Sequence, residues 1–325
     1  MQELGVVRAM ELWRPQPGVL IVNHHRIGDA ARTCFDRGVF SASAEQLDAQ
    51  VKYFKKHAEI LTGEEMRSIA LGQTKVGRFC VFFTFDDGYL DNYHSAYKVL
   101  QSNGATGAFF LVTSYVGTAT IPWWDEIAYL VRHTSEAEIR LSYPAPLKLK
   151  LGEAREPAIA AILEHFKRPD NLDSHRFMND LRAATAADLP RVPRRFLSWE
   201  EAREMRDAGM EIGSHTTTHP ILSRLSAEAQ KAELESSKRE IEQRLGSDVL
   251  ALAYPDGAKS CFNDITMKAA LSAGYSMCFS FYGGVNTGRT VRRANLLRRS
   301  MPSNPEMFRA KAAMIAAIGW RSSEA

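Results

Sequence analysis

Long apolar runs are missing from this chain of 325 residues. No uncharged stretch is long enough for a transmembrane helix, and the N-terminus has no basic segment leading into a short apolar core. Neither a membrane span nor a signal peptide is expected. Charge of one sign is missing too. The net charge is +3 and no dense Lys/Arg tract occurs, which argues against a nucleic-acid partner. Cysteine is scarce: Cys34, Cys80, Cys261 and Cys278 are scattered, with no Cys-x-x-Cys among them. Buried free thiols and a reducing, cytoplasmic compartment are the expectation. Internal repeats, low-complexity tracts and clear linkers are also lacking. What remains is 45% hydrophobic and 24% charged residues, the makeup of a globular protein with a sizeable core. A single domain over 1–325 is expected, with an insertion at about 118–195.

Strand and helix patterns alternate through most of the chain. Residues 1–17 read as an irregular lead-in. Gly18–Val22 reads as a buried strand, and Ser43 as the N-cap of a helix running to about Leu61. The run 79–85 is a strand, Tyr93, Ala96, Tyr97 and Leu100 mark a helical stripe, and Ala108–Val112 returns as a strand. That β-α-β unit implies parallel pairing. Further strands are expected over 210–214, 249–254 and 275–281, with helices after Ser198, Ser226, Asn263 and Asn304. Residues 118–195 break the rhythm with helical stretches, a small hairpin over 141–151 and the pair Trp123-Trp124, of which one packs inward and the other suits a sugar ring about as well as the core. The pattern calls for a parallel sheet, open or closed into a barrel.

The chemistry gathers where predicted strands end. Val81-Phe82-Phe83-Thr84-Phe85 runs into Asp86 and Asp87, then Gly88. Two adjacent carboxylates at the end of a buried strand repel one another and resist ionisation, so a bound cation is the obvious offset. Gly213-Ser214-His215-Thr216-Thr217-Thr218-His219-Pro220 ends another strand. Two histidines four apart can share a helix face, but Pro220 and three threonines disfavour a helix here. Converging imidazoles in a strand-end loop fit better. Together with the acidic pair they form the His₂-carboxylate set with an open position that catalytic zinc uses. His24 and His25 end the first strand, and a hydrogen-bonded structural pair is as good a reading there as a functional one.

Thr84-Phe85-Asp86-Asp87-Gly88-Tyr89 with His215-Thr216-Thr217-Thr218-His219 resembles the polysaccharide deacetylase (NodB-homology, carbohydrate esterase family four) family. Ala253-Tyr254-Pro255-Asp256-Gly257 is similar to that family's third motif. The resemblance covers roughly residues 18–300. It implies an α/β fold, a distorted (β/α) barrel of about seven parallel strands with a helical insertion. It implies Asp87, His215 and His219 as ligands of a divalent metal, zinc first, with cobalt or nickel as alternatives. Asp86 would be the general base that deprotonates water, and the backbone N–H of Asp256 would face the developing oxyanion. The reaction implied is hydrolysis of an N-acetyl group, or less readily an O-acetyl group, on a sugar, oligosaccharide or sugar conjugate in envelope or exopolysaccharide metabolism.

The late motifs depart from the family. Ala253 stands where the third motif carries arginine, and Ser280-Phe281-Tyr282 lacks the Asp and Trp of the fourth. Asn295-Leu296-Leu297-Arg298-Arg299 offers arginine where the fifth has a histidine acid, and arginine donates protons poorly. His25 is the candidate substitute, since all strand ends of a barrel face one pocket. Arg292, Arg293, Arg298 and Arg299 read as solvated or carboxylate-paired, with a phosphate subsite as the sharper option. Two rival functions stay open: an amidohydrolase on a non-sugar amide or ureide, and a catalytically inactive carbohydrate-binding relative.

Overall fold

The structure, a computed structural model, describes residues 15–288 and 291–318. The lead-in expected over 1–17 lies outside them apart from 15–17. Among the described residues seven parallel strands form the ring: β1 (Gly18–His24), β2 (Phe79–Phe85), β3 (Gly107–Leu111), β4 (Glu211–Ser214), β5 (Ala251–Ala253), β6 (Met277–Phe279) and β7 (Arg298–Arg299). Their spatial order is β6-β5-β4-β3-β2-β1-β7. The ring nearly closes. The segment entering β7 bonds β6 through Leu296 N–H to the Cys278 carbonyl (2.8 Å) and Ser280 N–H to the Leu296 carbonyl (2.9 Å). β7 itself pairs with β1 at Ile21 and Val22. This is the NodB-type (β/α) barrel.

Period-2 alternation divides the apolar residues of these strands between two cores. Leu20, Val22, Phe79, Val81, Phe83, Phe85, Phe109, Leu111 and Leu252 point outward into a core shared with the surrounding helices. Val19, Ile21, Cys80, Phe82, Ala108, Phe110, Ala251, Ala253, Met277, Phe279 and Leu296 fill the barrel interior. Near the C-terminal ends the inward positions turn polar: Asn23 on β1, Thr84 on β2, Arg298 on β7. The opposite end is sealed by apolar side chains. Leu61, with Met66, Ile69 and Ala70 of the helix Gly63–Ala70, joins the interior cluster there. Gly213 on β4 has no space for a side chain, since a Cβ would sit 2.6 Å from ring atoms of Phe110.

The outer helices carry the signals read from the sequence. Ser43 caps the helix Ala44–His57 with a full capping box, and Ser198 does the same for Trp199–Asp207. The first of these stops at His57, short of Leu61, because Glu59–Ile60 pairs with β2 as a short extra strand. The helix after the acidic pair opens as a π-helix, Asn92–Tyr97, before continuing as Lys98–Ser102. The long helix Ala227–Leu245, here α8, buries Leu234, Ile241 and Leu245 and ends at Gly246 in the left-handed region.

The chain divides into two compact units. The described residues of 15–28, 40–118 and 195–318 make the barrel unit, and 29–39 with 119–194 make the second. The second unit has helices Trp123–His133, Glu156–Phe166 and Ser174–Thr185 and a hairpin pairing Glu138–Leu141 with Leu147–Lys150. That hairpin begins three residues before the expected position. Its own core is built from Ile127, Leu130, Val131, Ile139, Ile162, Phe166, Phe177 and Leu181. Trp123 stacks on Phe166 at 4.0 Å and meets the buried Trp124 edge-on at 5.2 Å.

Candidate metal centre and active site

Positions 80, 82 and 84 of β2 face inward, and the same parity carries Asp86 into the barrel mouth. Its N–H stays in the ladder, donating to the His24 carbonyl (2.9 Å). The chain then turns through Asp87 and Gly88, both in the left-handed region with φ of 73° and 71°. A returning segment pins this turn: Leu197 N–H donates to the Gly88 carbonyl (3.0 Å) and Leu90 N–H to that of Arg195 (2.8 Å). Asp86 and Asp87 are each 2% exposed.

His215 follows the inward Gly213 on the same parity. Its Nδ1 is 2.8 Å from the Ala253 carbonyl, which makes Nδ1 the protonated nitrogen and leaves the Nε2 lone pair facing the acids. Nε2 of His215 lies 3.6 Å from Oδ1 of Asp87, and Nε2 of His219 lies 3.5 Å from the same oxygen. Asp87, His215 and His219 bring one ligand atom each within 4.8 Å of one another, and all three are buried. Burial depresses the His215 pKa, and burial reinforced by His215 pushes His219 well below its ordinary value. Two neutral imidazoles, one with its tautomer fixed, and one carboxylate are a donor set that fits a divalent cation.

The second carboxylate has a different partner. Arg298, fully buried, forms a two-pronged pair with Asp86: Nη1 to Oδ1 at 2.7 Å and Nη2 to Oδ2 at 2.9 Å. Its Nε donates to the Ser280 carbonyl (3.0 Å) and its Nη1 also to Asn23 Oδ1 (2.9 Å). Asn23 Nδ2 in turn donates to Asp86 Oδ2 (3.2 Å). Burial alone would raise the Asp86 pKa, but the Arg298 charge, with His215 and His25 behind it, holds it well below the carboxylate range.

His25 enters the same mouth. Its Nε2 is 3.9 Å from Asp86 Oδ2 and its ring meets Phe281 edge-on at 5.9 Å. The side chain is 26% exposed against 3% for that of Asp86, so it stands on the open side of the cluster. His24, one residue earlier, points the other way. It stacks on Phe85 and bonds Gln50 (3.0 Å), and burial pulls its pKa down to about 4. Asp256 sits at the apex of a tight turn off β5, with φ of 60° and Gly257 N–H bonded to the Pro255 carbonyl (2.7 Å). It lies near enough to act electrostatically on His215. The arginines part company: Arg292 and Arg293 are exposed and Arg299 is half-buried, while Arg298 is buried against Asp86. Sequence reasoning named Arg298 within that cluster and at the place of the fifth motif, but not as the partner of Asp86. Its inward parity with Leu296 was the signal, but using it required knowing that β7 lies beside β1.

The sequence model for the polysaccharide deacetylase family matches residues 73–145 and 152–278. YxkH of Bacillus subtilis (strain 168), named as a polysaccharide deacetylase, is 22% identical over 234 residues. That alignment takes in 72% of this chain but 56% of YxkH, so the chain spans little more than half the length of that relative. The deacetylase PplD of Streptococcus pyogenes, solved in complex with acetate, superposes with a TM-score of 0.57 at 19% identity, over 90% of this chain and 97% of that one. IcaB from Ammonifex degensii gives 0.60 at 17% identity, over 92% and 98%. These structural likenesses carry the fold. The family match spans more than half of the sequence, from just before the acidic strand through both histidines and into β6, and the chain belongs to the polysaccharide deacetylase family.

Proposed function

We propose that the protein is a metal-dependent deacetylase that hydrolyses an N-acetyl group on a sugar polymer or sugar conjugate. One observation carries this reading: Asp87, His215 and His219 converge while a second carboxylate, Asp86, stands beside them with Oδ2 3.9 Å from His215 Nε2. Family membership supports action on acetylated polysaccharide. A divalent metal held by Asp87, His215 and His219 would lower the pKa of water and polarise the acetyl carbonyl. Zinc suits the two-imidazole, one-carboxylate set best.

The residues of the chain divide the remaining work. Asp86 accepts the proton of the attacking water, and Arg298 fixes the plane and position of its carboxylate. The Asp256 N–H, at the apex of its turn, supplies a donor to the oxygen on which charge develops. His25 protonates the leaving nitrogen, the role that arginine at the fifth motif cannot fill. With 3.9 Å between His25 Nε2 and Asp86 Oδ2, the proton taken by Asp86 has an acceptor one short step away. We assign the activity to the cytoplasm on the sequence reading alone.

The test is acetate release from an N-acetylglucosamine oligomer by protein stripped with a chelator and then reconstituted. Stripping should abolish release and Zn²⁺ or Co²⁺ should restore it. Full activity in the stripped protein overturns the metal-dependent reading. Release from O-acetylated but not N-acetylated sugars overturns the choice of bond.

A further inference from the structure

We propose that Glu233 of α8 is a positioning residue for the metal centre, holding the backbone between His215 and His219 in the conformation that makes their imidazoles converge. The inference rests on reading Asp87, His215 and His219 as metal ligands.

Every backbone N–H of the loop has a partner. His215 donates to the Leu111 carbonyl (2.8 Å), Thr216 to Ser214 Oγ (3.1 Å) and His219 to Thr216 Oγ1 (3.1 Å). The two central groups both go to one side chain. Thr217 N–H and Thr218 N–H donate to Oε2 of Glu233 at 2.8 and 3.0 Å. Thr218 Oγ1 donates to Oε1 at 2.7 Å, so both carboxylate oxygens are engaged. Glu233 touches neither histidine in these contacts. It grips the two residues between them.

The loop requires such a grip because its backbone is strained. Thr216 has φ of 69° and His219 φ of 58°. A β-branched residue in the left-handed region is a true outlier, and each such residue persists only where its surroundings over-determine it. Relaxing either one rotates the chain between the two ligands and separates the imidazoles. The brace is mounted on a rigid element. α8 runs from Ala227 to Leu245 and is capped by Ser226. One turn after Glu233, Ser237 meets Ser214 (Oγ to Oγ, 2.8 Å) at the strand end that launches the loop. α8 thus holds both the root and the crown of the loop. Charge-assisted bonds to adjacent amides are the strong kind, and outer groups of this sort commonly tune metal affinity tenfold to a hundredfold.

Glutamine at 233 can accept both amide protons with its oxygen and leave its NH₂ for Thr218 Oγ1, whereas alanine offers nothing. The experiment titrates metal-free protein with Zn²⁺ against a chromophoric chelator and with Co²⁺ by its d–d absorption. Glu233→Ala should bind Zn²⁺ about 10–100-fold more weakly, with an altered Co²⁺ spectrum, while Glu233→Gln stays close to the unmodified protein. Wild-type affinity in Glu233→Ala, or equal loss in both variants, overturns the proposal. Hydrogen exchange on unmodified, metal-free protein covers the case in which Glu233→Ala fails to fold. The Thr217 and Thr218 amides should be protected, and exchange at the rate of an open loop overturns the brace. Unmodified protein that binds no Zn²⁺ but protects those amides overturns the metal reading instead.

Discussion

Arg298 is a full positive charge inside the barrel, and replacing it with methionine removes the charge while keeping most of the volume. Asp86 would then retain Asn23 Nδ2 at 3.2 Å as a hydrogen-bond donor, with His25 and His215 at 3.9 Å. Breaking a buried pair from one side leaves an uncompensated charge and costs about 3–5 kcal/mol. Ser280 O and Asn23 Oδ1 also lose a donor, which keeps the expected value at the upper end. The effect carries a pH signature. In the unmodified protein the Asp86 pKa is depressed, so its contribution is fully present above the unfolded value of about 3.9 and lost as pH falls toward the folded one. In Arg298→Met burial acts without its counter-charge, the Asp86 pKa rises, and the deficit is greatest at neutral pH and shrinks on acidification.

Native-state hydrogen exchange of the β1 and β2 amides reads the stability of the barrel unit without interference from the second unit. The double variant Asp86→Asn/Arg298→Met should be more stable than the sum of its parts, with a coupling of about 2–3 kcal/mol. A loss under about 1 kcal/mol in Arg298→Met at pH 7 would refute the argument from a desolvated ion pair. So would a deficit that is the same at pH 4 and pH 7.

Two further outcomes follow from the same geometry. His25→Ala should lower kcat by about 10²–10⁴ with little change in KM or zinc affinity, as expected of a proton donor; unchanged turnover removes His25 from the mechanism. His24, with its pKa pulled down to about 4 by burial, makes stability fall as pH drops from about 6.5 toward 4, because the unfolded chain takes up the proton first. The difference between pH 7 and pH 5 is worth about 2 kcal/mol, and His24→Gln should flatten that part of the stability curve; an unaltered slope in the variant sinks the assignment.

Much of the site was written in strand parity. Val19, Ile21 and Asn23 face inward, and counting by two from them reaches His25 and bypasses His24. The same count from Cys80 and Phe82 through Thr84 reaches Asp86. The turn at Asp87, a residue type that tolerates the left-handed region, then brings the second acid's Oδ1 to both histidines. Local signals fared well where local physics decides, as at the caps Ser43, Ser198, Ser226 and Asn263. They fell short where a distant partner decides. The helix ending at His57 instead of Leu61 answers to pairing of Glu59–Ile60 with β2. Arg298 meets Asp86 across 212 residues of sequence. Neither Arg298 nor Glu233 belongs to a spacing pattern with its target, so nothing short of the barrel's closure and the seat of α8 could single them out.

The distribution of backbone strain unites these observations. Among the described residues, five non-glycine residues have left-handed φ: Asp87, Thr216, His219 and Asp256 at the barrel mouth, and Ala186 elsewhere. At about 1–3 kcal/mol each, the four at the mouth together cost on the order of 4–12 kcal/mol, comparable to the whole stability of an ordinary domain. Such a cost survives only if each loop is held from outside, and each is. Leu197 and Arg195 hold the turn at Asp87 and Gly88, Glu233 holds the loop between the histidines, and Phe281 N–H bonds the Gly257 carbonyl (2.7 Å) beside Asp256. The three braces come from three different parts of the chain, so the strain can be relieved at one loop without releasing the others. Losing one brace therefore releases one loop, while Arg298, fully buried, holds Asp86 by a separate contact.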